Sequence, residues 1–285
     1  MPKPLIDAAT LAERLASGAP TTLLDASFDL ADPAAGERAW AAGHLPGALY
    51  LHLDRDLADH APAPDGRFRG RHPLPAREAF AATLGRFGVG PATAVVVHDR
   101  QGGVYAARAW WMLRWLGHAE VAVLDGGVAA WTAAGHPLSS EPPPAPTPAA
   151  PYPAGASLVA SIDADALGAR LGTLRLIDAR APERFRGEVE PLDPIAGHIP
   201  GALNRPFKDN LDAQGRFLPP DALRAAFVPL LGGAPAADVV HQCGSGVTAC
   251  HNLLAMDAAG LAGSALYPGS WSEWCADATR PIAIG

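Results

Sequence analysis

Short apolar runs alternate along the chain with longer stretches of helical periodicity. In the first half the pattern predicts strands over Thr22–Asp25, Ala48–Leu51, Ala94–His98 and Val121–Leu124. Between them it predicts helices over Ala8–Ser17, Arg77–Phe87, Ala106–Leu116 and Val128–Ala134. Phe80, Leu84 and Phe87 fall at i, i+4 and i+7, the spacing of one helix face. In the second half strands are expected at Leu174–Asp178, Ala202–Asn204, Asp238–His241 and Ala265–Leu266. Helices are expected at Asp163–Leu171, Asp221–Phe227, Val247–Ala259 and Ser272–Ala276. Strands alternating with helices indicate the α/β class: two tandem domains, each a mainly parallel sheet flanked by helices.

The halves echo each other. Leu23-Leu24-Asp25-Ala26 returns as Leu176-Ile177-Asp178-Ala179, and GHLPGA from Gly43 returns as GHIPGA from Gly197. Val96-Val97-His98 returns 143 residues later as Val239-Val240-His241, and Trp131 returns at the same distance as Trp274. A period this long means duplicated domains and not a solenoid. Pro137 to Ala156 is rich in proline, which neither continues a helix nor donates within a sheet, so it reads as an extended connection. The expected layout is a first domain over 1–138, a linker over 139–156 and a second domain over 157–285.

Composition narrows the function. Apolar residues make up 49% of 285, enough for substantial cores. Net charge is −7 with no basic block, which speaks against nucleic acid as a partner. No apolar run reaches the roughly 18–20 residues of a membrane span. The N-terminus carries Asp7 and Glu13 instead of a continuous apolar signal core, so a cytoplasmic location is expected. Three cysteines, all late in the chain, argue for a reducing compartment and against a disulfide framework. No Cys/His spacing suggests structural zinc.

The chemistry concentrates at His241–His251, HQCGSGVTACH. A predicted strand enters it and a predicted helix leaves it, with glycines between. Such a passage aims several backbone N–H groups at one point, beside a positive helix N-terminus. A cysteine there is favoured as the thiolate. Cys243 is therefore the candidate nucleophile, and a buried structural thiol is the plain alternative. Cys250, seven residues on, falls inside the predicted helix.

These motifs resemble the tandem rhodanese-domain sulfurtransferases over nearly the full length. The matching pieces are the two GHxPGA turns, Asp178-Ala179-Arg180, Glu183-Arg184-Phe185-Arg186-Gly187, CGSGVTA and Gly269-Ser270-Trp271-Ser272-Glu273-Trp274. CGSGVTA is similar to the loop of the 3-mercaptopyruvate branch. The resemblance implies sulfur transfer from 3-mercaptopyruvate or thiosulfate through a persulfide on Cys243, with no metal or organic cofactor. It implies that the loop residues Gly244, Ser245, Gly246, Val247 and Thr248 hold the sulfur, and that Arg184 holds a small anionic donor. Cyanide, a small thiol or a thioredoxin-like protein would take the sulfur. Ser245 is expected to act with His44 and an upstream acid such as Asp32 in a relay; the alternative is that His44 and His198 serve one structural role in the duplicated turns. The first domain, with Arg100 at the 143-residue offset from Cys243, is expected to be non-catalytic. The mercaptopyruvate branch carries a second arginine about nine residues after the first, where this chain has Asp193.

Two rivals are weaker. A phosphatase loop needs an arginine six residues after its cysteine, and Ala249 stands there. A non-catalytic rhodanese-like binding module would be expected to have lost Cys243.

Overall fold

The computed structural model describes residues 3–146 and 150–285. Two compact units are present. The first comprises 1–58, 75–158 and 213–217; the second comprises 59–74, 159–212 and 218–285. The division therefore does not follow a single cut in the sequence. Residues 59–74, from the first half, belong to the second unit, closed into a loop by the Asp59 N–H bond to the Pro73 carbonyl.

Each unit is built on a five-stranded parallel sheet. In the first, β1 (Leu5–Ile6), β2 (Thr21–Asp25), β3 (Leu49–Tyr50), β4 (Ala94–His98) and β5 (Val121–Leu124) stand in the order β1-β5-β4-β2-β3. In the second, β6 (Ala160–Ser161), β7 (Arg175–Asp178), β8 (Leu203–Asn204), β9 (Val239–Gln242) and β10 (Ala265–Leu266) repeat it as β6-β10-β9-β7-β8. The α/β expectation holds. The pattern missed the two-residue edge strands β1 and β6, which are too short to show a period.

Helices pack on the sheets through apolar stripes. Leu11, Leu23, Leu45, Val96, Leu124 and Trp131 meet in the first core, and Leu167, Leu176, Ile199, Val240, Trp271 and Trp274 in the second. Each such burial contributes about 1.5–3 kcal/mol relative to exposure. Asp7 and Asp163 cap the matching first helices by accepting N–H bonds from Thr10 and Ala166. No helix among the described residues is long and apolar enough to cross a membrane.

The GHxPGA turns are structural twins. His44 and Ser139 exchange backbone hydrogen bonds, as do His198 and Ala283. His44 Nδ1 lies 2.9 Å from the Trp40 carbonyl with its ring stacked on Trp40. His198 Nδ1 lies 2.8 Å from the Phe185 carbonyl with its ring stacked on Phe185. Residues expected to form an extended linker are partly fixed within the first unit: the Tyr152 N–H bonds the Ala81 carbonyl, and the Gly155 N–H bonds the Leu116 carbonyl. Residues 147–149 of that stretch lie outside the described residues.

Candidate active site

The loop after β9 sits beside β7, where the strand order reverses and open parallel sheets place their ligands. Cys243 is the first residue of that loop and is buried, 2% exposed. Gly246 takes a left-handed backbone, φ +75°, and a β-carbon there would lie 2.3 Å from the Pro268 carbonyl oxygen, so only glycine fits. The helix Thr248–Ala258 follows at once. In its first turn the Cys250 N–H bonds the Val247 carbonyl at 3.0 Å.

The first unit shows what this loop geometry holds. Asp25 lies opposite His98 in the sheet register, and Asp178 lies opposite Gln242. The Val128 N–H bonds the Asp99 carbonyl, as the Trp271 N–H bonds that of Cys243. Left-handed Gly102 matches Gly246, and the helices begin at Val104 and Thr248. Asp99, and not Arg100, therefore stands at the place of Cys243. The 143-residue offset is one short in this region, because identical histidines were matched where strand register matches His98 with Gln242. Arg100 instead folds back to donate to the Gly43 carbonyl, as Arg180 does to Gly197.

The Asp99 carboxylate accepts N–H bonds from Gln101, Gly103, Tyr105 and Ala106 at 2.8–2.9 Å. The corresponding residues of the second unit are Ser245, Val247, Ala249 and Cys250. The first unit's loop is thus a cradle for one anion, filled by the protein's own carboxylate, whereas in the second unit the Cys250 N–H bonds the Val247 carbonyl.

Around Cys243 the segment 59–74 supplies two groups that sequence reasoning missed. His72 is buried and its Nδ1 lies 2.8 Å from the Ser245 hydroxyl. Arg71 pairs with Asp193. A β-carbon on Gly244 would lie 2.8 Å from Arg71 Nη2 and 3.6 Å from Arg184 Nη1, so both guanidinium groups flank the residue after Cys243. Arg184 bonds Glu190 at 2.6 Å and Asp193 at 3.3 Å. Both carboxylates are buried, 3% exposed.

His44, expected as a relay partner, bonds the Trp40 carbonyl within the first unit. The imidazole against Ser245 belongs to His72, while His44 carries the structural role it shares with His198. Asp32 pairs at the surface with Arg38, whose guanidinium holds its carboxyl below the usual range. Of the other cysteines, Cys250 donates to the Gly246 carbonyl and Cys275 is held as a thiol by burial, its pKa pushed up to about 11. Thr248 opens the helix. Among the described residues no cluster of three or more His, Cys, Asp or Glu is arranged to hold a metal.

A duplicated parallel α/β fold with one cysteine loop and one self-filled loop defines a tandem two-domain α/β protein. Comparison with known proteins gives the family. The rhodanese-like domain model matches residues 7–134 and again 163–277. A Pseudomonas aeruginosa protein named as a probable 3-mercaptopyruvate sulfurtransferase is 50% identical over 285 residues, covering 99% of this chain and 98% of that one. A thiosulfate sulfurtransferase of Gallus gallus is 33% identical over 287 residues, covering 95% and 92%. The structure of 3-mercaptopyruvate sulfurtransferase from Leishmania major superposes with a TM-score of 0.86 at 30% identity, over 99% of this chain and 77% of that one. The chain belongs to the rhodanese-like family, and it is a sulfurtransferase.

Proposed function

We propose that the enzyme moves sulfur from 3-mercaptopyruvate, with thiosulfate the poorer donor, through a persulfide on Cys243 to a thiol or cyanide. One observation carries this reading. Cys243 stands where the duplicated loop holds a carboxylate under four N–H donors, so an anionic sulfur on Cys243 would meet the matching N–H groups of Ser245, Val247 and Ala249, the Cys250 N–H being bonded to the Val247 carbonyl.

The cysteine thiolate attacks the donor sulfur, forming an S–S bond as the C–S bond of mercaptopyruvate breaks. The electron pair passes to the pyruvate carbon as an enolate, which takes a proton from the Ser245 hydroxyl. His72 restores that proton, and the proton of the donor thiol balances the account. An acceptor thiolate or cyanide then attacks the outer sulfur and regenerates Cys243 thiolate. Thiosulfate would release sulfite, which needs no proton, so the Ser245–His72 pair favours the mercaptopyruvate reading.

Charge supports the same donor. Arg71 and Arg184 present two cations, but buried Asp193 and Glu190 offset them. A site near neutrality suits a monocarboxylate better than the thiosulfate dianion. Arg71 also answers the arginine missing at position 193: the second guanidinium comes from another segment, and Asp193 orients it.

A side-by-side steady-state assay with 3-mercaptopyruvate and thiosulfate, cyanide as acceptor and Cys243→Ser as the blank, tests this. Preference for mercaptopyruvate and an inert Cys243→Ser are expected. Turnover in Cys243→Ser would overturn the persulfide, and preference for thiosulfate would overturn the donor. No turnover with either donor would move the reading to a binding module.

A further inference from the structure

The turn from Tyr267 to Ser272 fastens the backbone of the cysteine loop. The Trp271 N–H bonds the Cys243 carbonyl and the Ser272 N–H bonds that of Gly244, both at 2.9 Å. The Ser272 hydroxyl in turn accepts the Arg71 N–H at 3.1 Å. Ser270 stands apart from these. Among the described residues it is the only non-glycine with a left-handed backbone, φ +54°. It is fully buried. Its Oγ accepts the backbone N–H of Cys243 at 3.1 Å and donates to the Tyr267 carbonyl at 2.9 Å.

The first unit supplies the control. Gly127 has the same φ of +54° and precedes Val128, which bonds Asp99 as Trp271 bonds Cys243. A β-carbon on Gly127 would lie 2.0 Å from the Asp99 carbonyl oxygen. The unit whose loop is self-filled thus keeps glycine in this conformation. The unit with the thiol carries a side chain in it, against the steric preference of every L-residue. Strain of this kind persists where the surrounding structure needs it.

We propose that Ser270 is a positioning residue for Cys243. Its hydroxyl has its own proton committed to Tyr267, so a lone pair is left facing the Cys243 N–H. That bond fixes the Cys243 peptide plane and hence the direction of the Cα–Cβ bond. The sulfur is thereby aimed at the N–H cradle and at the space before Arg71 and Arg184. This inference deepens the reading of Cys243 as nucleophile and rests on it.

Ser270→Gly tests the role cleanly, because glycine accepts the backbone conformation and only the hydroxymethyl group is lost. Its urea midpoint should fall only modestly, because relief of the left-handed backbone offsets part of the cost of the stranded Cys243 N–H. Alkylation of Cys243 by iodoacetamide at fixed pH, located by mass spectrometry, should slow about tenfold, and kcat should fall by a similar factor. The KM for mercaptopyruvate should stay within about twofold, since the guanidinium groups are untouched. Ser270→Ala, which keeps the β-carbon, should lose as much. Alkylation and kcat within about twofold of the parent in Ser270→Gly would overturn the proposal. Alkylation needs no sulfur donor, so it reads Ser270 separately: brisk alkylation of the parent without sulfur transfer would overturn the sulfurtransfer reading alone.

Discussion

His72 Nδ1 lies 2.8 Å from the Ser245 hydroxyl, although 173 residues separate them in the sequence. The pair is buried, so a proton passing through it is shielded from exchange with bulk water. On the proposed mechanism, this pair would distinguish a donor whose leaving group is a carbon from one whose leaving group is sulfite.

His72→Ala should therefore split the donors. Loss of a positioned acid–base group costs about 10²–10⁴-fold in rate where a proton must move. That loss is expected in kcat with 3-mercaptopyruvate, while kcat with thiosulfate changes by less than about threefold. Parallel steady-state assays check it, and an equal loss with both donors would contradict the relay.

The two guanidinium groups should act on binding. Arg71→Gln and Arg184→Gln each remove a charged hydrogen-bond donor, a contact of about 1.5–3 kcal/mol. Each KM for mercaptopyruvate should rise about tenfold or more, with kcat less affected. Asp193→Asn leaves both cations with one carboxylate partner fewer and should improve the relative use of the thiosulfate dianion. The ratio of kcat/KM values for the two donors reads this out.

Asp99 is a stability residue. Its buried carboxylate satisfies four N–H groups. Asp99→Ala leaves them without an acceptor and should cost about 3 kcal/mol or more, in keeping with stranded buried donors. Asp99→Asn keeps one acceptor oxygen and should cost less. Urea unfolding of the three forms gives the order directly.

His241 links stability to acid. Burial alone lowers its pKa to about 3, and its Nε2 lies against the Met256 sulfur at 3.0 Å. In the unfolded chain the ring titrates near 6.5, so below that pH the unfolded state binds a proton that the folded state refuses. Stability from this residue is fully present above about 6.5 and falls as pH drops towards 3, with a limiting slope of about 1.4 kcal/mol per pH unit. His98 and His118 shift the same way through burial and add to the trend. His241→Leu should flatten the stability profile over this window, measured as unfolding midpoints from pH 7 to pH 4.

The sequence by itself determined the α/β class, the duplication and the cysteine loop. Strand and helix follow from local periodicity, and the loop is one contiguous run whose glycines and following helix lie within ten residues of Cys243. Arg184 was legible for the same reason, through a motif read in one piece. The histidine against Ser245 was not. His72 and Arg71 come from a segment that joins the second unit only through tertiary packing, and no local pattern connects Arg71 to Ser272, 201 residues away. The duplicate of Cys243 was also decided by structure. Identical side chains at His98 and His241 set the sequence ruler one residue off, whereas backbone hydrogen bonds are made by position and not by side-chain identity. They place Asp99 in the loop where Cys243 stands, and in the first unit its carboxylate fills that loop.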